Sequence, residues 1–308
     1  MNISPYILLA LASLFWSFNF IIGKIVSAVI PPITTSFLRW FLPFVFFLPV
    51  SWKQIKTDKN LFITKWPLIL LLGATGYCLN SISVYQAVRF TSTINTSFIN
   101  AFNPVLIAFV GYILYHEKVT RVQFLGFVLS LAGVLSIIFQ GKVGLIVSLK
   151  INPGDLFMVG SIVSWSIHTV LYKNKASGLP ERPMFTLMML GGLIITLPMV
   201  LLENIAYNWS WVGRIKIVHV LGVISLNIFP SVLAYQFWNS ALKKISANKV
   251  GIFLYLIPIY TTAISIVLFG ESLRLYHVLG GLLIFTGVLL VTTYGNEKNT
   301  EKVMLSQD

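Results

Sequence analysis

The sequence predicts an all-α polytopic membrane protein: ten transmembrane helices arranged as two inverted five-helix repeats. Three observations carry that prediction. The 308-residue chain is 56% hydrophobic and only 10% charged, against about 25% charged in an ordinary soluble domain. Its apolar residues fall in blocks with few charges, each about 18–25 residues long, enough to cross a hydrocarbon core of roughly 30 Å. Rare residues then recur in the same order in the two halves. A soluble fold of this length could not hide so much apolar surface.

Ten spans run in order: 5–28, 33–51, 66–88, 93–115, 121–140, 153–173, 183–203, 217–242, 247–269 and 275–294. The first begins at Pro5 with no basic residue before it. It ends in FIIGKIVSAVI, which is not a convincing cleavage site, so it reads as a retained helix rather than a signal peptide. The second runs into SWKQIKTDKN, the longest polar connection. The fourth and ninth each hold a proline, Pro104 and Pro258, and each stops at a glutamate, Glu117 and Glu271, at the same spacing. The fifth and tenth carry Gly126 with Gly133 and Gly280 with Gly287, which mark close helix packing. The single cysteine, Cys78, lies in an apolar run, so no intrachain disulfide or multi-cysteine metal site is available.

The repeat is read from residue matches. At one constant offset Trp16 falls on Trp165, Ser17 on Ser166, Lys24 on Lys173 and Pro49 on Pro198. At an offset five residues longer, Ala87 falls on Ala241, Ser92 on Ser246, Pro104 on Pro258, Glu117 on Glu271, Gly126 on Gly280 and Gly133 on Gly287. The units expected are residues 1–145, residues 150–295 and a polar tail from 296 to 308. Five spans is an odd number, so the second copy enters the membrane from the opposite side. The larger share of the 22 Lys and Arg residues falls on the side of the N-terminus, which places both termini in the cytoplasm. The net charge of +13 therefore reads as orientation in the bilayer and not as a nucleic-acid surface. Inverted repeats place a substrate site near the midplane and supply two related conformations for alternating access.

Two stretches carry a family likeness. They are YQAVRFTSTINTSFINAFNPVLIAFVGYILYHEKVTRVQFLGFVLSLAGV and WNSALKKISANKVGIFLYLIPIYTTAISIVLFGESLRLYHVLGGLLIFTGV. Each has an alanine-bearing helix end, a helix with a central proline and terminal glutamate, and a glycine-containing helix. In this the chain resembles the drug/metabolite transporter superfamily in its ten-helix EamA form. Gly270-Glu271 matches the pattern; His116-Glu117 lacks the glycine. The resemblance implies transport of amino acids or other small metabolites, often outward, and says almost nothing about which. Four-helix multidrug members of the superfamily use a carboxylate in their first helix; this first span has none, which argues against lipophilic-cation export.

The site residues expected are polar and aromatic groups of spans 1, 3, 4, 6, 8 and 9. Thr96, Asn100 and Asn103 form one polar stripe on a continuous fourth helix, used either for interhelical hydrogen bonds or for the cavity wall. Their counterparts Val250, Leu254 and Ile257 are apolar, so the cavity is chemically lopsided. Tyr77, Asn80, Tyr235, Trp238 and Asn239 add to it from spans 3 and 8. Trp16 with Trp165 would stack on a substrate or serve as packing. His168 replaces Asn19 of the first repeat, either as a proton-coupling group or as a neutral, hydrogen-bonded one. Pro104 and Pro258 would bend their helices from within. Glu117 and Glu271 would pair with the bases after them, Lys118 and Arg121 or Arg274, as structural ion pairs or loop clamps, or else serve as a substrate or proton site. Arg39 would snorkel outward or reach an acidic group. The expectation is a plasma-membrane secondary transporter, not an enzyme, moving an amino acid or related amphipathic compound outward. A drug exporter of the same fold and a non-transporting assembly or sensing component are the alternatives. No cofactor or metal is expected; the partners are a small-molecule substrate and the bilayer, and the chain is a monomer or weak homodimer.

Overall fold

The computed structural model describes residues 4–116, 119–142, 151–176, 178–242 and 253–294, and these are helices and short turns with no strand among them. In the first half α1 (Pro5–Ser27) and α2 (Pro32–Thr57) are followed by a short α3 (Lys59–Thr64). Then α4 (Trp66–Gly73) passes through a π-helical turn, Ala74–Leu79, into α5 (Asn80–Phe90). The half closes with α6 (Thr93–Asn100), α7 (Asn103–Tyr115) and α8 (Arg121–Ile138). The second half repeats the order: α9 (Pro153–Lys175), α10 (Glu181–Ala206), then α11 (Ile217–Ile228) joined by a π-helical turn, Phe229–Leu233, to α12 (Ala234–Leu242). A 3-10 turn, Phe253–Tyr255, leads into α13 (Leu256–Phe269), and α14 (Leu275–Tyr294) is last.

Eight described helices are long and apolar enough to cross a membrane, and α6 with α7 forms a ninth span bent by 43°. The remaining expected span is the shorter apolar Phe253–Phe269; its expected start, 247–252, lies outside the described residues. Large apolar side chains such as Phe46 (73% exposed) and Val267 (81% exposed) point outward, as a surface solvated by lipid tails allows. One expected boundary moves. Hydropathy ends the second span at 51, yet α2 continues to Thr57 and the chain restarts at once as α3. Trp-Lys-Gln-Ile-Lys contains no helix breaker, so the helix projects beyond the apolar layer into polar surroundings.

Packing obeys the repeat. α1 packs on α12 and α13 of the second half, while its counterpart α9 packs on α5 and α7 of the first. α2 packs on α10, and α8 on α14, each against its own counterpart. The two π-helical turns also fall at repeat-related places. A π turn leaves carbonyls without their usual i+4 donor, and side chains satisfy them here. His168 Nδ1–H donates to the Leu72 carbonyl at 3.0 Å and Ser164 Oγ to the Thr75 carbonyl at 2.8 Å. Ser231 Oγ donates to the Leu226 carbonyl at 2.9 Å.

Glycine sets the closest contact. α8 and α14 touch backbone to backbone, Gly126 against Gly287 and Gly133 against Gly280. A Cβ on Gly133 would lie 2.5 Å from the Gly280 carbonyl oxygen. Gly133→Leu should force the pair apart and lower stability by about 1–3 kcal/mol, read as an earlier thermal unfolding transition in detergent. An unchanged transition would show that this contact does not hold the two halves.

Candidate functional site

A cavity of about 460 Å³ lies between the halves. That is the size of a small-molecule site, for which roughly 300–1,000 Å³ is usual. α1 contributes Trp16, Asn19 and Phe20, α2 Arg39 and Trp40, α5 Asn80 and Val84. Ser97 and Asn100 of α6 and Asn103, Pro104 and Ile107 of α7 form a second wall. The second half contributes Trp165 and Thr169 of α9, Tyr235 and Trp238 of α12, Leu254 and Tyr255 of the 3-10 turn, and Ile257 and Pro258 of α13. Trp16 packs edge-on to Tyr235 at 5.7 Å and against Trp238 at 5.0 Å.

Several expected residues meet here: Trp16, Asn19, Asn80, Asn100, Asn103, Trp165, Tyr235, Trp238, Pro104 and Pro258. The first half supplies Asn100 and Asn103 where the second has Leu254 and Ile257, so the cavity is chemically lopsided among the described residues; Val250 lies outside them. Asn80 spends its amide N–H groups on Ser161, at 2.9 Å to Oγ and 3.1 Å to the carbonyl. Asn103 Oδ1 accepts from Ser166 Oγ at 3.1 Å. The side chain of Asn239 and all of Glu117 and Lys118 lie outside the described residues.

Other expectations change. Thr96 is fully buried, donates to the Thr93 carbonyl and is not part of the cavity lining, although Asn100 one turn further along α6 is. The fourth span is also not one helix, since α6 ends at Asn100 and α7 starts at Asn103. Tyr77 sits inside the π turn, packed on Trp40 at 4.7 Å and away from the cavity wall. His168 lies behind the wall, stacked on Trp165 at 5.1 Å, its proton used on the π turn. Pro104 does not interrupt a helix. It is the second residue of α7, where no intrahelical N–H bond is lost. Pro258 likewise stands in the first turn of α13.

Arg39 neither snorkels outward nor meets an acid. It is 6% exposed and turned toward the cavity. Its Nε donates to Ser231 Oγ at 3.1 Å, and Nη1 to Asn19 Oδ1 at 2.6 Å and Tyr85 Oη at 3.2 Å. Its guanidinium lies 4.9 Å from the Trp40 ring centroid.

One helical turn beyond Phe20 and Ser97, a clamp crosses between the halves. Glu271 accepts from Lys24 Nζ at 2.6 Å, and from the Thr93 and Ile94 N–H groups at 3.0 and 3.1 Å. Thr93 Oγ1 donates to it at 3.0 Å. The partner is thus Lys24 of α1 and not the neighbouring Arg274. Glu203 treats α2 the same way, accepting from the Ile33 and Thr34 N–H groups and from Thr34 Oγ1. Beside the clamp, Asp155 accepts from Thr91 Oγ1 at 2.7 Å and Asn95 Nδ2 at 3.3 Å, and His277 Nε2 meets Asn95 Oδ1 at 2.7 Å. Pairs this far apart in sequence left no local signal; only the helix-end position of Glu271 hinted at a clamp.

Packed, repeat-related halves around a lined cavity define a multi-pass membrane transporter. The chain belongs to the EamA-like transporter family, whose model matches residues 3–139 and again 152–293. It is 27% identical to an uncharacterized transporter of Bacillus subtilis, over 94% of this chain and 93% of that protein. It is 25% identical to a Salmonella typhimurium protein named a probable amino-acid metabolite efflux pump, over 91% of both. A solved crystal structure superposes with a TM-score of 0.60 at 17% identity, covering 95% of this chain and 97% of that one, a likeness of fold alone.

Burial pushes the Glu271 carboxyl up, but Lys24 and the Thr93 and Ile94 N–H groups outweigh it and hold the group below its ordinary 4.5. A depressed carboxyl adds stability above its unfolded value and loses it as pH falls through the folded one. Glu271→Gln should cost about 2 kcal/mol at neutral pH. It should also flatten the decline of the unfolding temperature below pH 4.5. An unchanged acid limb in the variant would refute the clamp's contribution.

Proposed function

We propose that this chain is a secondary transporter that carries a small amphipathic metabolite, an amino acid or close relative, outward across the plasma membrane, with both termini cytoplasmic. The observation that carries the reading is the lopsided cavity. Asn100 and Asn103 of the first half offer amide groups, and Trp238, Leu254 and Ile257 of the second offer an apolar surface. A molecule with one polar and one apolar end fits such walls better than a uniformly polar one does. The packing of α1 on α12 and α13, matched by that of α9 on α5 and α7, gives the two halves repeat-related interfaces to exchange, which alternating access requires. The outward direction draws on the name of the Salmonella typhimurium relative and the cytoplasmic termini on the placement of the basic residues.

The test is flux of labelled amino acids and related metabolites in proteoliposomes. Saturable, protein-dependent flux of at least one amphipathic member is expected, and no flux across a broad panel would overturn the reading. Trp165→Ala and Asn100→Ala should each raise the KM of that substrate by about threefold to tenfold, the scale of one lost aromatic or hydrogen-bond contact. An unchanged KM in both variants would remove these residues from the site.

A further inference from the structure

We infer that Arg39 is the anchor for a carboxylate, and that the molecule carried is an anion whose amine, where it has one, is not needed for recognition. This rests on the cavity being the substrate site. The guanidinium is charged at any accessible pH, is more than nine-tenths buried, and lies on the cavity wall. Its bound partners are neutral: a hydroxyl, an amide oxygen and a phenol. Its Nη2 has no hydrogen-bond partner among the described residues.

Among the described residues it has no ion-pair partner. The described carboxylates are Asp58, Asp155, Glu181, Glu203 and Glu271, and none lines the cavity. Three of them have their own work at the helix ends, Asp155 with Thr91 and Asn95, Glu203 with α2, Glu271 with Lys24. An ionisable group inside a membrane bundle is normally paired or faces a pathway, and the missing partner here is supplied by a ligand. At the repeat-related place on α10 stands Met188, buried and apolar. The cation therefore belongs to one half only, which a purely structural role in the symmetric frame would not require.

The other groups fit the same ligand. The Asn100 amide and Asn103 Nδ2 make no hydrogen bond among the described residues and are further donors in the same cavity. No described carboxylate lines the cavity to receive an ammonium, and the side-chain acceptors there are neutral, the Asn80 and Asn100 amide oxygens among them. Asn19 Oδ1 already receives Arg39 and Tyr85, and Asn103 Oδ1 receives Ser166. A zwitterion adds a second positive charge beside Arg39, whereas an N-acylated acid does not. The planar guanidinium fork matches a carboxylate's two oxygens.

Quenching of tryptophan fluorescence in the purified protein reads binding, since Trp16, Trp165 and Trp238 face the cavity. The probes are L-phenylalanine, N-acetyl-L-phenylalanine and L-phenylalaninamide. We expect the N-acetyl acid to bind at least as tightly as the free amino acid, and the amide at least tenfold more weakly than either. Arg39→Gln should weaken both acids at least tenfold and abolish the preference over the amide; Arg39→Lys should fall between. Gel filtration and thermal unfolding check that the variants fold, and if Arg39→Gln does not, the wild-type comparison and Arg39→Lys still decide. Equal binding of acid and amide, a folded Arg39→Gln that keeps the preference, or no binding of any probe would overturn the proposal. Arg39-dependent binding without flux in proteoliposomes would overturn the transport reading and leave the anchor standing. Flux of the amide that is indifferent to Arg39 would do the reverse.

Discussion

Lipid offers no partner to a bare backbone N–H or to a charge, and the arrangement of this bundle is governed by that constraint. Its sharpest expression is the pair of carboxylates at one end. Glu271 and Glu203 each close a helix N-terminus belonging to the other half of the chain, by two backbone N–H groups and a threonine hydroxyl. A carboxylate there also meets the positive end of the helix dipole. The same contacts satisfy otherwise orphaned donors and hold the halves together on one side of the cavity. Lys24 completes the Glu271 clamp from α1, so three elements meet one turn beyond the cavity-lining Phe20 and Ser97.

The same constraint explains the irregular helices. π turns at Ala74–Leu79 and Phe229–Leu233 release carbonyls, and the side chains that satisfy them come from α9 and from within the turn itself. The fourth span breaks between Asn100 and Asn103, and the break brings both amides to the cavity. Local irregularity is placed where neighbours or a cavity can serve the freed groups. On this frame the two halves differ in chemistry. The first supplies Arg39, Asn19, Asn100 and Asn103, the second a largely aromatic and aliphatic wall.

Much of this was legible in the sequence, and the limits have physical causes. Hydropathy blocks revealed the spans because crossing a bilayer demands length and apolarity at every turn. The pairs Trp16 with Trp165 and Pro104 with Pro258 revealed the repeat because such residues are rare. Spacing gave depth along a helix but not rotation about it. Tyr77 has the depth of the cavity, yet it sits in a π turn, whose extra residue shifts the rotation about the helix by roughly 100°. His168 stands on the regular α9, where depth alone did not say which face meets the cavity. Arg39 was readable as two turns inside α2, and nothing local said that it faces inward. The Lys24–Glu271 contact joins residues 247 positions apart, so no local pattern could announce it. The prolines misled because a proline opening a helix and one kinking it look alike until the break is seen.

The alternating access proposed above requires the Lys24–Glu271 end to open in turn. Cysteines at these two positions, with Cys78 replaced by serine, can be bridged by a short bifunctional thiol reagent and then released by reduction of a cleavable spacer. Flux in proteoliposomes should fall to the protein-free level on bridging and return on cleavage, while modification of either cysteine alone should leave most of it. Full flux through the bridged protein would contradict the account.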